Sequence, residues 1–383
     1  MNQKNRVAVI CEYNPMHFGH KHQIELLKKQ FESVVCIMSG NIVQRGSPAV
    51  ADKYLRAQAA LKCDADLVVE LPIPFCCSSA RDFARAGVHV ADALGVDSLA
   101  FGAEDGEETI AKISEYISGD EFAAELAECG DKSLSFPLLL TELVRARLGS
   151  EYAEAVKKPN NILALEYISS LKGTGIVPFF VKREPSFMSS SQIRAQADML
   201  ALLPDESRRV FESESGKGFP RDEKRLDSFF VGRLRQISRE NSASDKLYAC
   251  PTDLANKILR SAQRQSTVAD IISDCCDKNY TSARVRRAVN ALVFGISAKQ
   301  VASNPPYTAV LAANERGREI IKGAKKRKKI QIVNKPARAL ELGEETKNAF
   351  LFAKSIEDIL CLAEPIPSPA DTPKNPFIVG ADK

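Results

Sequence analysis

The feature that most constrains the fold is an alternation, along the first half of the chain, between short apolar runs and segments of helix length. "RVAVIC" (Arg6–Cys11), "SVVCIM" (Ser33–Met38), "DLVVEL" (Asp66–Leu71) and "SLAFG" (Ser98–Gly102) are rich in Val, Ile and Leu, and "GIVPFFVKR" (Gly175–Arg183) closes the set. Between them stand "HQIELLKKQF", "DKYLRAQAALK" and "ARDFARAGVHVADAL", each of helical character. A strand with one wet face alternates apolar and polar residues, whereas one that is apolar throughout is covered on both faces. Such strands, joined by helix-length crossovers, predict an α/β fold: a doubly wound parallel sheet with helices on either side. Ligands in that architecture sit outside the carboxyl ends of the strands. The loops after Cys11, Met38, Leu71, Gly102 and Arg183 are therefore the candidate site.

The first of these loops, "CEYNPMHFGHKH" (Cys11–His22), holds three of the four histidines in the chain. It leaves the first strand, turns at Asn14-Pro15 and enters a helix near Gly19. A helix N-terminus offers unpaired N–H groups and a partial positive charge, which suits a phosphate. Gly19 has no side chain to hold a phosphate off. His17 and His20, three residues apart, can converge on one small volume. The pattern H-x-G-H fits charge stabilisation on an α-phosphate during nucleotidyl transfer, where a protein chiefly positions groups and supplies donors. Zinc binding and purely structural histidines are the other readings. A zinc site would call for a cysteine or carboxylate partner at suitable spacing. The position of the motif after the first strand favours the phosphate. A second loop, "EPSFMSSSQIRAQ", follows Arg183. There Ser189, Ser190 and Ser191 open a helix with Arg194 one turn on, which reads either as a cap or as a second phosphate cradle.

From about Met188 the pattern becomes helical and arginine-rich, as in "DEKRLDSFFVGRLRQISRE" and "YTSARVRRAVNALVFGIS". Two strand-like pieces, "TAVLAA" and "IQIV", flank a basic segment in which residues 316–329 hold eight basic side chains against the single acid Glu319. From Glu364 the tail carries five prolines and reads as a poorly ordered end. Three parts follow: 1–195, nucleotide-binding; 196–363, mostly helical and basic; and 364–383, the tail. The net charge of +4 by itself says nothing about nucleic acid, so local clustering has to. Arg284, Arg286 and Arg287 on one helix, and Lys325, Lys326, Arg327, Lys328 and Lys329 in the basic segment, are candidate RNA-backbone contacts, with a solvated face as the alternative. Ten cysteines without C-x-x-C spacing point to free thiols in a reducing cytoplasm. No apolar run approaches membrane-span length, and no internal repeat is evident.

Paired with the serine–arginine loop, H-x-G-H resembles the two signatures of the nucleotidylyltransferase superfamily, H-x-G-H and I-S-S-x-x-x-R. The resemblance then narrows. "EYNPMHFGHKHQ", "MSGNIVQRGSPAVADKYLRAQAAL", "DLVVELP", "SSARDFARAGV", "FGAEDG", "KPNNILALEY" and "YTSARVRRAV", in this order, are similar to the bacterial tRNA(Met) cytidine acetate ligase family, to about residue 360. The resemblance implies ATP-dependent activation of acetate as acetyl-adenylate, with Mg2+ accompanying the ATP. It further implies acetyl transfer to N4 of the wobble cytidine of elongator tRNA(Met), without acetyl-CoA, a membrane or an obligate protein partner. Carried over by position, His17 and His20 are catalytic. The ATP site comprises Ile10, Cys11, Glu12, Tyr13, Asn14, Pro15, Met16, His17, Phe18, Gly19, His20, Lys21, His22 and Gln23, with Gly102, Asn160 or Asn161, Arg183, Ser190 and Arg194. Gln44, Arg45, Lys53 and Arg56, which follow the second strand, are candidates for acetate or cytidine. Two features depart from the family pattern: the loop between Arg183 and the serines is short, and Gln23 stands where histidine is usual. A small-molecule adenylyltransferase, or a non-catalytic nucleotide- or RNA-binding protein, are the alternative functions.

Overall fold

The computed structural model describes residues 5–129, 136–182, 184, 186–240, 246–369 and 374–379. Five strands stand where the apolar runs predict them: β1 (Arg6–Cys11), β2 (Ser33–Ser39), β3 (Leu67–Leu71), β4 (Ser98–Phe101) and β5 (Val177–Phe180). They lie in the order β5-β4-β1-β2-β3 and every neighbouring pair is parallel. The order reverses between β1 and β4, so the carboxyl ends of those two strands flank the crevice where such sheets bind ligands.

The two-sided burial is visible residue by residue. Ala8, Val35, Ile37, Leu67, Val69 and Leu99 enter one core, while their neighbours Val7, Val9, Val34, Cys36, Val68 and Ala100 enter the other. Alternate side chains of a strand point to opposite faces, so both parities must be apolar here. Helices α1 (Phe18–Lys28) and α2 (Lys53–Lys62) cover the second core, and α3 (Ala80–Leu94) covers the first. α3 rests closely on β1, because a Cβ added to Gly87 would lie 2.5 Å from Ile10 Cδ1. Among the described residues, the crossover from β4 to β5 contains five helices and ends with Pro159–Leu171. In the second half the helices Asp227–Glu240, Thr252–Ala262, Val268–Cys275 and Ser282–Phe294 pack together, and their Phe230, Leu234, Ile258 and Val285 continue the core beneath α3.

Two expectations are corrected. "TAVLAA" does not stay with the helical half. It forms β6 (Tyr307–Ala313), antiparallel to β3, and β7 (Gln331–Val333) pairs with β6 in turn. An open β3 edge would expose a row of unpaired backbone groups; β6, buried at all seven residues, closes it. The proline-rich tail is also not simply a loose end. β8 (Phe377–Ile378) pairs with Ala312 and Ala313, Glu364 accepts Arg221 Nη2 at 2.7 Å, and Lys374 Nζ lies 3.1 Å from Asp52 Oδ2. Prolines remove backbone donors but leave such side-chain anchors untouched. All ten cysteines are free thiols, and among the described residues no helix is long and apolar enough to cross a membrane.

Candidate functional site

The turn after β1 builds the site from local geometry. Tyr13 takes a left-handed conformation (φ 43°), the Asn14-Pro15 bond is cis, and His17 caps α1. His17 Nδ1 accepts the Gly19 N–H at 3.1 Å, while its carbonyl takes the N–H groups of His20 and Lys21, each at 3.0 Å. An imidazole that accepts at Nδ1 carries its ring proton on Nε2. The His17 and His20 rings stack with centroids 3.7 Å apart and planes 27° from parallel, the convergence that their spacing predicts. One expectation changes here. The N–H groups of residues 19, 20 and 21 are occupied by His17, so the backbone at this turn does not offer them to a phosphate. Gly19 is also needed by the cap, because an added Cβ would lie 3.0 Å from His17 Cε1 and 3.3 Å from Phe187 Cβ.

The second signature docks on the first. Arg194 Nη1 donates to the Asn14 carbonyl at 2.5 Å and Nη2 to Ser191 Oγ at 3.3 Å. Ser189 and Gln192 form a capping box on the short helix Ser190–Arg194, so the cap and the docking arginine coexist. Around the turn, Lys21 pairs with Glu206 at 2.7 Å, His22 faces the Phe187 ring at 5.4 Å, and Phe18 is exposed. Ser207 Oγ donates to the Met16 carbonyl at 2.7 Å, and Asn14 Oδ1 accepts the Val50 N–H at 2.7 Å. Sequence reasoning missed Ser207: a serine some two hundred residues away leaves no local signal.

Of the four candidates after β2, the structure divides two from two. Gln44 and Arg45 border the crevice. Gln44 N–H donates to Glu12 Oε1 at 2.9 Å, and Arg45 is exposed. Lys53 and Arg56 are corrected. Lys53 is buried, with Nζ 2.9 Å from each Glu70 carboxylate oxygen and in contact with Glu357. Burial alone would lower its pKa, but the two carboxylates outweigh burial and raise it. Arg56, fully buried, donates to the carbonyls of Ala51 (3.0 Å), Glu12 (2.5 Å), Ser39 (3.1 Å) and Gly40. Burial lowers its pKa to about 10, which still leaves it charged at neutral pH. It fastens the carboxyl ends of β1 and β2 to the start of α2, with four of its five N–H donors given to backbone carbonyls. Flanking alanines (Ala49, Ala51, Ala57, Ala59, Ala60) were the available sign that this helix face is packed, not wet.

Across the crevice, Gly102 follows β4. The two asparagines separate: Asn161 is buried, accepts the N–H groups of Glu104 (2.7 Å) and Asp105 (3.2 Å), and donates to Asp105 and Ala155. Asn160 is half-buried, and its side chain bonds to Glu104. Arg183 lies outside the described residues.

The basic groups part company. The helix Ser282–Phe294 abuts the loop after β2: Asn290 Nδ2 donates to the Gly46 carbonyl at 2.8 Å. On it, Arg286 pairs with Glu223 at 2.9 Å, Arg284 lies over the Tyr280 ring at 5.1 Å, and Arg287 is largely packed with its pKa lowered by burial. The segment from Lys325 to Lys329 is elsewhere. Lys329 pairs with Asp92 at 2.7 Å, and Arg327 packs on Gly95. Those residues are at the C-terminal end of α3, which begins at the carboxyl edge of the sheet and ends at the amino edge. The segment is thus about one helix length, ~22 Å, from the histidines.

These features have counterparts in known proteins. The family described as HIGH Nucleotidyl Transferase matches residues 4–364. The tRNA(Met) cytidine acetate ligase of Caldanaerobacter subterraneus subsp. tengcongensis is 32% identical, over 86% of this chain and 88% of that one. That of Thermoanaerobacter sp. (strain X514) is 30% identical over 98% and 97%. The crystal structure of Thermotoga maritima TmcAL bound with alpha-thio ATP superposes with a TM-score of 0.85 at 28% identity, over 95% of both chains. A full-length match in sequence, with the same fold and the histidine turn at its switch point, settles the relationship: the chain belongs to the tRNA(Met) cytidine acetate ligase family of HIGH nucleotidyl transferases.

Proposed function

We propose that this protein binds ATP at the His17–His20 turn, activates acetate as acetyl-adenylate with release of pyrophosphate, and acetylates N4 of the wobble cytidine of elongator tRNA(Met) in the cytoplasm. The observation that carries the reading is the stacked His17–His20 pair at the start of α1, on the switch point, with Arg194 docked on the same turn. The His17 Nε2–H and His20 bear on the charge that grows on the α-phosphate as the acetate oxygen attacks. Arg194 is held by Asn14 and Ser191 within reach of the departing phosphates. Gly102 and Asn160 form the facing wall for the nucleoside, Arg183 goes to the ATP as the family resemblance implies, and Gln44 and Arg45 form the side where acetate and cytidine enter.

Arg284, Arg286 and Arg287 take the RNA backbone next to the target base, and Lys325–Lys329 a stretch further along the molecule. A free small-molecule acceptor would give this helical half no task. The test is ATP–pyrophosphate exchange in the absence of tRNA. Exchange that requires acetate supports the reading; exchange indifferent to acetate, or none, refutes it.

A further inference from the structure

Glu12 is the carboxylate at the junction of the two halves of the site. It follows β1 at the switch point, five residues before His17. Its Oε1 accepts the Gln44 N–H at 2.9 Å, and its carbonyl takes Arg56 Nη1 at 2.5 Å. Gln44 Nε2 reaches the Ser78 carbonyl at 3.2 Å, and two residues on, Gly46 is held by Asn290 of the basic helix. The carboxylate therefore lies between the phosphate turn and the helix assigned above to RNA, and it is half-buried. The titratable and charged groups around it are Cys11 of β1, Tyr167 of the helix Pro159–Leu171, and the guanidinium groups of Arg45, Arg56 and Arg194. Burial raises its pKa above the ordinary carboxylate value, against the Gln44 N–H and the three arginines. A carboxylate raised in this way is a stronger proton acceptor near neutral pH.

We propose that Glu12 is the catalytic base of acetyl transfer, accepting the N4 proton of the attacking cytidine; this rests on the function proposed above. The exocyclic amine is conjugated with its ring and is a poor nucleophile, so it requires a base in place. N4 attacks the acetyl carbonyl carbon, the new C–N bond forms, and the C–O bond to the adenylate phosphate breaks. AMP leaves with the bonding pair, and the N4 proton passes to the Glu12 carboxylate.

Glu12→Gln keeps an oxygen for the Gln44 N–H and removes the base. Glu12→Asp keeps the base but withdraws it by one methylene. The full chain is assayed for acetate-dependent ATP–pyrophosphate exchange, and for single-turnover acetyl transfer to unmodified elongator tRNA(Met) between about pH 5 and pH 8. In Glu12→Gln, transfer should fall about 10²-fold or more, at least about tenfold further than exchange, and should lose the rise with pH shown by the wild type. Glu12→Asp should recover part of that rise, which misfolding would not do. A transfer-to-exchange ratio in Glu12→Gln within about threefold of wild type, or an intact pH rise, overturns the assignment of Glu12 alone. A wild type without acetate-dependent exchange overturns the underlying reading and the proposal with it.

Discussion

His17 performs two tasks that one substitution can separate. Its Nδ1 caps α1 through the Gly19 N–H at 3.1 Å, and in the function proposed above its Nε2–H serves the α-phosphate. Asparagine is among the best N-cap residues, and its side-chain oxygen can accept the same N–H. His17→Asn should therefore leave unfolding free energy within about 0.5 kcal/mol of wild type, whereas His17→Ala should lose about 1 kcal/mol, the usual value of a cap. Both variants lose the Nε2–H donor and the 3.7 Å stack that orients His20. Loss of one donor to a developing oxyanion costs about 2.7–4 kcal/mol in the transition state, or about 10²- to 10³-fold in rate. Acetate-dependent pyrophosphate exchange should thus collapse equally in both variants, while urea melts distinguish them. His17→Asn exchanging within about threefold of wild type would refute the catalytic assignment. Equal destabilisation of the two variants would refute the cap.

Three further outcomes are expected. Arg56→Lys offers at most three donors to carbonyls that the guanidinium serves four at a time, so it should cost about 2–4 kcal/mol in urea unfolding and reduce exchange by loosening the loop after β2; a melt within about 0.5 kcal/mol of wild type would show that the carbonyls find other donors. Changing Arg284 and Arg287 to Gln should lower the log–log salt slope of tRNA binding by roughly 0.7–0.9 for each phosphate no longer neutralised, and changing Lys325, Lys326 and Lys328 to Gln should lower it without loss of exchange; an unchanged slope in a filter-binding titration returns that group to the solvated surface. Burial pushes the Glu357 carboxyl up to about 7, against the attraction of Lys53, so its folded pKa lies above its unfolded value near 4.5. Its contribution to stability is full below about pH 4.5 and lost as pH rises through about 7. Glu357→Gln should therefore gain stability relative to wild type as pH rises across that window, and a difference that stays constant with pH would contradict it.

The fold was legible where sequence writes structure locally. Strands buried on both faces leave unbroken apolar runs, and β1 to β5 fell on them. β6 was legible as a strand, but its partner was not, because Leu67 and Ala313 meet across nearly 250 residues with no local mark of the pairing. β8 has two residues, too few for any periodicity. The histidine turn was legible for the same reason as the early strands: cap, glycine and i,i+3 spacing lie within one helical turn. Lys53 and Arg56 were not, because their i,i+3 spacing also describes a wet basic face. Glu70, Glu357 and the carbonyls that claim them are fixed only by the fold.

The most direct test of the central claim is mass spectrometry of nucleosides from unmodified elongator tRNA(Met) incubated with the purified protein, ATP and isotopically labelled acetate. N4-acetylcytidine carrying the label, at the wobble position, formed with ATP and acetate and not with acetyl-CoA in their place, is the predicted result. Unlabelled tRNA under these conditions, or acetylation that proceeds from acetyl-CoA without ATP, would contradict it.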